Sequence, residues 1–198
     1  MSGRLELIIG GMFSGKSSEL IRRLKRYKAI DGKILVINSD KDTRSDSNVL
    51  QTHDRVIFDC IKVPNLIPLI EDQKYQDANI IGIDEAQFFP NLVKFVKLAL
   101  QDNKYIIVAG LDGDFKQEIF GEILYLIPLC DDVHKLKALC MECKNGTEGP
   151  FTKRIDSRDK SQELVGATEY YKAVCRSHLE DENVLAYLLS KLVDDNFA

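Results

Sequence analysis

The chain has 198 residues, which is room for one full domain and a small appendage. Apolar residues make up 44% and charged residues 29%, so disordered, collagen-like and fibrous classes are excluded. The formal net charge of −4 disfavours a nucleic acid polymer as a partner. No apolar run approaches the roughly 20 residues of a membrane span, and secretory features are missing, so we expect a cytoplasmic protein without membrane contacts.

Short continuous apolar runs alternate with amphipathic segments along the first part of the chain. Continuous apolar runs are typical of strands buried on both faces, as in a parallel sheet. The predicted strands are Leu5–Ile9, Lys33–Asn38, Asn79–Asp84 and Tyr105–Gly110, and the predicted helices are Ser17–Ile30 and Asn91–Leu100, the second with Pro90 in its first turn. This alternation predicts an α/β fold with helices flanking a doubly wound parallel sheet.

The character of the sequence changes near residue 130. Residues 144–150 and 155–161 are rich in glycine, polar and charged side chains, which predicts a second module dominated by loops. An apolar helical period returns in Asn183–Val193, and we expect an amphipathic helix there that packs against the core or another subunit.

A phosphate-binding motif follows the first predicted strand. Gly10–Ser17 reads GGMFSGKS, which matches G-x-x-x-x-G-K-[ST] between a strand and a helix. The glycines let backbone N–H groups face a polyphosphate, Lys16 can reach its outer phosphates, and Ser17 can hold Mg²⁺. The motif favours a P-loop (RecA-like) nucleotide-binding domain over a merely structural glycine turn.

Two carboxylates follow the third predicted strand. Asp84 comes directly after the apolar run, at the sheet edge where parallel sheets bind ligands, and is placed to orient Mg²⁺. Glu85 beside it can accept a proton from a hydroxyl or orient a water. The alternative is an acidic turn exposed to solvent, and the pair alone does not distinguish a kinase from a hydrolase.

Four metal-ligating side chains occur as two spaced pairs. Cys140 and Cys143 form the first pair and Cys175 and His178 the second, with 31 residues between the pairs. Three cysteines and one histidine suit a closed tetrahedral structural zinc site. A thioredoxin-like redox pair is the alternative for the first two, but it leaves the second pair unexplained.

Further candidate residues follow the second and the last predicted strands. Phe115 and Phe120 follow the last predicted strand and can stack a base or belong to the core. Asp42 and Arg44 follow the second strand, where they can meet phosphates or form part of a solvated charge run. We expect two further cysteines to be buried small hydrophobes and two histidines to lie at the surface, namely Cys60, Cys130, His53 and His134.

Taken together, these motifs resemble the type II thymidine kinases, a family with a P-loop domain and a zinc-held lasso. The matching segments run in order from about Arg4 to about His178. They are Met12–Ser17, Lys41–Arg44, Thr52–Arg55, Ile83–Phe89, Leu111–Gly113, Phe120–Gly121, Cys140–Cys143, Phe151–Arg154 and Cys175–Arg176. The resemblance implies ATP-dependent phosphorylation of the thymidine 5′-hydroxyl with Mg²⁺, in nucleotide salvage, with feedback inhibition by dTTP and a homotetramer.

The resemblance also implies roles for individual residues. Glu85 matches the general base, while Ser17 and Asp84 match the Mg²⁺ ligands. The phosphate-binding residues are Gly10, Gly11, Met12, Phe13, Ser14, Gly15, Lys16, Ser17, Asp42 and Arg44. The nucleoside-binding residues are Met12, Phe88, Phe115, Phe120, Thr152, Leu164, Val165, Gly166 and Tyr171, with the backbone of 164–166 bonding the base. The implied division is a P-loop domain at 1–138, a zinc-binding lasso domain at 139–180 and a C-terminal helical extension at 181–198.

The sequence departs from the family pattern at three places. His178 replaces a cysteine found in many relatives, Val165–Gly166 stands where many have Gly-Gly, and Asn183–Ala198 extends past the usual core. Two other functions compete with the kinase interpretation. A motor or switch ATPase would not need the zinc lasso, and a zinc-ribbon nucleic-acid binder would need a basic face that a charge of −4 does not favour.

Overall fold

The computed structural model describes residues 2–42, 49–51, 57–155 and 170–179. The strands and helices, in chain order, are β1 (Arg4–Gly10), α1 (Lys16–Lys28), β2 (Ile34–Ser39), β3 (Val49–Gln51), β4 (Ile57–Asp59), β5 (Ile61–Val63), α2 (Gln73–Asp77), β6 (Ile80–Ile83), α3 (Leu92–Gln101), β7 (Tyr105–Gly110), β8 (Asp132–Leu136), β9 (Ala138–Leu139), β10 (Glu148–Gly149), β11 (Phe151–Arg154), β12 (Tyr171–Val174) and α4 (Arg176–Leu179). Short 3₁₀ helices lie at Ile67–Glu71, Ala86–Phe88 and Ile123–Leu129.

A six-stranded parallel sheet forms the centre of the molecule. Its strand order is β5-β2-β6-β7-β1-β8, and every neighbouring pair is parallel. The predicted α/β class is therefore confirmed. Strand β7 lies between β1, which leads into the phosphate-binding motif, and β6, which leads into the two carboxylates. Both motifs therefore lie at the carboxyl edge of one sheet.

Apolar side chains cover both faces of this sheet. Along β1, Leu5 and Leu7 belong to the core on one face, whereas Ile8 packs on the other face against Leu20 and Leu24 of α1. These side chains are fully buried. Because successive side chains of a strand point to opposite faces, a strand covered on both sides needs an unbroken apolar run. This requirement explains the apolar runs in β2, β6 and β7. In β1 the run is interrupted by Glu6, whose buried carboxylate pairs with Arg23 of α1.

The start of α3 differs from the sequence prediction. The helix begins at Leu92, and its N-cap Asn91 has a left-handed backbone with φ of 60°. Pro90 therefore lies in the turn before the helix and not in its first turn. A left-handed cap residue cannot continue the right-handed helix, so the helix cannot extend back to the proline.

A small module of two antiparallel strand pairs follows the sheet. Strand β9 pairs with β10, and β11 pairs with β12. A further antiparallel pair, β3 with β4, precedes β5. Within the described residues, none of the helices combines the length and apolar character of a membrane span. The helix expected in Asn183–Val193 lies outside the described residues.

Candidate active site

The loop between β1 and α1 has the geometry of a phosphate-binding loop. Gly10 has φ of 148°, and a Cβ there would lie 2.3 Å from the carbonyl oxygen of Leu136 in β8, so only glycine fits. Gly15 adopts the left-handed conformation and caps α1. The ammonium of Lys16 is buried and donates to the Gly11 carbonyl oxygen at 2.7 Å. The loop is therefore already curled, with its lysine folded over it.

Asp84 and Glu85 lie directly beyond the end of β6. Asp84 is 1% exposed, and its N–H donates to the Ile37 carbonyl oxygen of β2 at 2.9 Å. Glu85 has φ of 49°, a left-handed conformation that a non-glycine residue adopts only under local constraint. The pair is thus a buried acid beside a half-buried one, and the predicted alternative of a solvent-exposed acidic turn is wrong.

Gln87 connects Glu85 to the neighbouring strand. Its side-chain Nε2 donates to Glu85 Oε2 at 2.7 Å, and its Oε1 accepts from the backbone N–H of Leu111 at 2.9 Å. Leu111 directly follows β7. Gln87 itself is only 4% exposed. Gln87 lies within the Ile83–Phe89 segment, but the sequence gives no separate signal for its role.

Asp42 is buried near the end of β2. Its carboxylate accepts from Asn38 Nδ2 at 2.8 Å, and its backbone carbonyl oxygen accepts from Lys62 Nζ at 2.8 Å. With 7% exposure it does not belong to a solvated charge run, so that alternative is wrong for this residue. Arg44 lies outside the described residues.

The predicted nucleoside-binding aromatics fall into two groups. Phe88 and Phe120 pack edge to face with ring centroids 5.4 Å apart, and Phe120 is buried. Phe115 is half-buried instead, and the guanidinium of Arg154 lies 3.8 Å from its ring centroid. The same arginine donates to the Tyr171 hydroxyl at 2.6 Å. Arg154, which sequence reasoning did not single out, therefore connects two of the predicted pocket residues.

The small module touches the phosphate loop through Thr152 on β11. Its Oγ1 accepts from the backbone N–H of Met12 at 3.0 Å, across 140 positions of sequence. A Cβ at Gly11 would lie 3.1 Å from the same oxygen, so the contact is close. The structure thus places the predicted nucleoside-binding residue Thr152 beside the loop. The other predicted base-binding residues, Leu164, Val165 and Gly166, lie outside the described residues.

The four predicted metal ligands form one cluster. Their ligand atoms, contributed by Cys140, Cys143, Cys175 and His178, all lie within 4.8 Å of one another. His178 Nδ1 lies 3.8 Å from Cys140 Sγ, 3.4 Å from Cys143 Sγ and 3.2 Å from Cys175 Sγ. The sulfurs of Cys143 and Cys175 are 3.7 Å apart. A tetrahedral zinc ion separates its sulfur and nitrogen ligands by about 3.5 to 3.8 Å. The donor set fits zinc in both chemistry and spacing.

The backbone around the cluster favours a thiolate. Burial raises the pKa of the Cys140 thiol, but backbone amides of Cys143, Cys175 and Glu142 outweigh it and lower that pKa to about 6. One of these amides, the N–H of Cys143, lies 3.4 Å from Cys140 Sγ. Because the thiolate is the form that binds metal, this environment suits a ligand.

The other cysteines and histidines lie apart from this cluster. Cys60 is buried as expected, and burial raises the pKa of its thiol to about 11. Cys130 packs against the main core as a small hydrophobe, as expected, but it is only partly buried, so the expectation of full burial is wrong. It follows a 3₁₀ helix with exposed side chains. His134 lies at the surface as expected, 2.8 Å from an Asp132 carboxylate oxygen. His53 lies outside the described residues.

The parallel sheet and the phosphate loop define a P-loop α/β protein, and its small module has a Cys₃His cluster that can hold a metal ion. The sequence model of the thymidine kinase family matches residues 3–179. The cytosolic thymidine kinase of Cricetulus griseus is 44% identical over 174 residues, which cover 88% of this chain and 72% of that one. Thymidine kinase a of Arabidopsis thaliana is 38% identical over 98% of this chain and 82% of its own. The thymidine kinase of Variola virus is 42% identical over 88% of this chain and 95% of its own. The chain belongs to the thymidine kinase family.

Proposed function

We propose that this protein transfers the γ-phosphoryl group of ATP to the 5′-hydroxyl of thymidine, giving dTMP and ADP. The observation that supports this most is that, in a chain of this family, the phosphate loop and Glu85 lie at the same edge of one parallel sheet. Parallel sheets bind their ligands at this edge. The donor's phosphates and a proton acceptor can therefore meet there.

Glu85 is the proposed general base. It takes the 5′-hydroxyl proton as the hydroxyl oxygen attacks the γ-phosphorus and the bond to the β-phosphate bridging oxygen breaks. Lys16 moves from the Gly11 carbonyl oxygen to the outer phosphates, and the loop N–H groups offset the charge on the transferred oxygens. Positioning and electrostatics supply most of the rate acceleration in this kind of transfer.

Ser17 and Asp84 are the proposed magnesium ligands, and Asp42 and Arg44 are proposed to lie near the phosphates. A hydroxyl and a buried carboxylate are hard oxygen donors of the kind that Mg²⁺ prefers. When bound with ATP, Mg²⁺ neutralises charge on the transferring phosphates. The rest of the phosphate site is proposed to be the loop itself, Gly10, Gly11, Met12, Phe13, Ser14, Gly15 and Lys16.

The nucleoside is proposed to bind between the aromatic side chains and the small module. The edge-to-face pair Phe88 and Phe120 provides an apolar wall, and Thr152 provides a contact next to the phosphate loop. The full proposed set is Met12, Phe88, Phe115, Phe120, Thr152, Leu164, Val165, Gly166 and Tyr171. Arg154 contacts two of them, so it is expected to move or reorient when a base binds.

The remaining proposals depend on family membership. We infer a structural zinc at the Cys₃His cluster, a lasso domain at 139–180 with an extension at 181–198, a homotetramer and a cytoplasmic role in nucleotide salvage. Inhibition by dTTP, an end product of the pathway, would require dTTP to place its base at the nucleoside site and its phosphates at the phosphate loop. A titration of activity against dTTP, together with sedimentation of the full chain, tests the regulatory and oligomeric parts.

Nucleoside dependence of ATP turnover is the direct test of the proposed function. We expect ADP release with Mg²⁺ to require thymidine, because the kinase has a hydroxyl acceptor to position and a motor or switch ATPase has only water. The measurement is coupled ADP release with and without thymidine, with dTMP identified by chromatography. Rapid hydrolysis that thymidine leaves unchanged would favour the ATPase interpretation and contradict the kinase.

Removal of one metal ligand is expected to weaken thymidine binding. Cys143→Ser should lose the bound zinc and reduce thymidine affinity by about 10- to 100-fold, because the metal orders a weakly apolar module that packing alone does not hold. The sheet and its helices have their own core, so the variant should still bind ATP. Zinc content and calorimetric titration with each ligand are the measurements.

Two variants control this experiment. Cys130→Ser changes a thiol outside the cluster and should keep both zinc and thymidine affinity. His178→Cys should also keep the metal, because thiolate and imidazole both suit tetrahedral zinc. Unchanged thymidine affinity in a folded, zinc-free Cys143→Ser protein would show that the metal does not support the nucleoside site.

A further inference from the structure

Gln87 is one of the most buried polar residues near the proposed general base. It is 4% exposed, and both ends of its amide are engaged, Nε2 with Glu85 Oε2 and Oε1 with the N–H of Leu111. A backbone N–H can only donate, so it fixes the amide oxygen toward Leu111. The NH₂ group is consequently fixed toward Glu85. The orientation of this amide is therefore set by the main chain.

The surroundings of Gln87 leave it little freedom to move. A Cβ at Gly110 would lie 2.7 Å from its Oε1, and a Cβ at Gly121 would lie 2.2 Å from its backbone oxygen. Gly121 also has φ of 65°, so this position combines a left-handed backbone with a close approach. Two glycines thus allow the backbone to close around Gln87, which makes it a rigid support.

Glu85 needs such a support because of its backbone. Its left-handed φ of 49° places it in the bend between β6 and the 3₁₀ helix Ala86–Phe88. A half-buried carboxylate on a turn can adopt several rotamers, and each lost rotamer costs free energy when the reaction needs one. The hydrogen bond from Gln87 selects the rotamer in advance.

We propose that Gln87 is a positioning residue that holds the Glu85 carboxylate in its reactive orientation by connecting it to the carboxyl end of β7. The proposal rests on the proposed role of Glu85 as general base. Gln87 does not take or give a proton; it donates an N–H to Glu85 Oε2 and accepts one from Leu111. Misplacement of a catalytic group by about 1 Å lowers rates by about 10²-fold, so loss of this contact should be visible in kcat.

The test is a double-mutant cycle with Gln87→Met and Glu85→Ala. Methionine is close to glutamine in length but cannot make either hydrogen bond. Gln87→Met alone should lower kcat by about 10- to 100-fold, with KM for thymidine and ATP within about threefold of normal. On the Glu85→Ala background, the same change should alter the single-turnover rate by less than about twofold, because the group it positions is gone.

Several outcomes overturn the proposal. A tenfold or larger further loss on the Glu85→Ala background would show that Gln87 acts on something other than Glu85. A Gln87→Met enzyme that keeps more than half of normal kcat would also overturn it. Failure of the wild-type protein to phosphorylate thymidine would instead remove the proposed function, and this is measured before either variant, so the two failures are distinguishable.

Two additional variants serve as an alternative and as a control in this experiment. Gln87→Leu fills a similar volume with an apolar side chain and, like methionine, offers no donor to Glu85. It should show the same fall in kcat, and it replaces Gln87→Met in the cycle if the methionine protein does not fold. Gln73→Met makes the same chemical change on the exposed surface of α2, and its kcat should equal that of the wild type.

Discussion

Deoxycytidine is expected to be phosphorylated at least about 10⁴-fold less efficiently than thymidine, measured as kcat/KM with ATP and Mg²⁺. The family resemblance implies that backbone groups of residues 164–166, outside the described residues, hydrogen-bond the base. Groups set for the N3–H and carbonyl oxygens of thymine would face the reversed donor and acceptor pattern of cytosine. Rejection is strong in such cases because buried polar groups are left unpaired.

Deoxyuridine is the matched control for this comparison. It keeps the hydrogen-bonding edge of thymidine and lacks only one methyl group, a difference that an apolar pocket discriminates by about 10- to 200-fold. We therefore expect the order thymidine, deoxyuridine, deoxycytidine in a panel at fixed ATP. Equal turnover of deoxycytidine and thymidine would contradict specific recognition of the thymine base.

Replacement of the proposed base is expected to have the second large effect. Glu85→Gln should lower kcat by about 10²- to 10⁴-fold, because an amide cannot accept the hydroxyl proton. Binding of both substrates should persist, since the new side chain has nearly the same shape and its oxygen can still accept from Gln87. Steady-state kinetics gives kcat, and calorimetry gives the two affinities.

A surface carboxyl group provides the control for this variant. Glu71→Gln alters an exposed carboxyl group in the 3₁₀ helix Ile67–Glu71, distant from the motifs in sequence, and should leave kcat unchanged. A Glu85→Gln enzyme with more than half of normal kcat would move the role of base to another group. Asp84 would then be the first residue to test.

The sequence predicts the strands that are buried on both faces and misses the others. The predicted and observed bounds of β7 agree because Tyr105–Gly110 is unbroken in its apolar character. The edge strand β8, Asp132–Leu136, has only two apolar residues among its five and none of the five is fully buried, so its apolar pattern is weak. The strands of the small module are two to four residues long and are held by pairing across the module.

The candidate site likewise has a part that the sequence predicts and a part that it does not. Local motifs indicated the phosphate loop and the acidic pair, whose residues are close together in sequence. The four metal ligands were indicated in the same way, because each of their two pairs has the local spacing of a metal site. The contact between Met12 and Thr152 spans 140 positions, and the one between Gln87 and Leu111 spans 24. Both depend on which strands are neighbours and on the φ of single residues. No spacing rule encodes these features.

The position of β7 determines a distance across the sheet. Neighbouring strands lie about 4.8 Å apart, so the ends of β1 and β6 are separated by two such steps, roughly 9.5 Å. If β1 and β6 were adjacent, the lysine loop and the acidic pair would leave little room between them. The intervening strand β7 acts as a spacer that keeps the phosphate loop and the acidic pair apart, so that a phosphoryl group can lie between them. Strand order therefore sets the gap between the lysine loop and the acidic pair before any side chain is chosen.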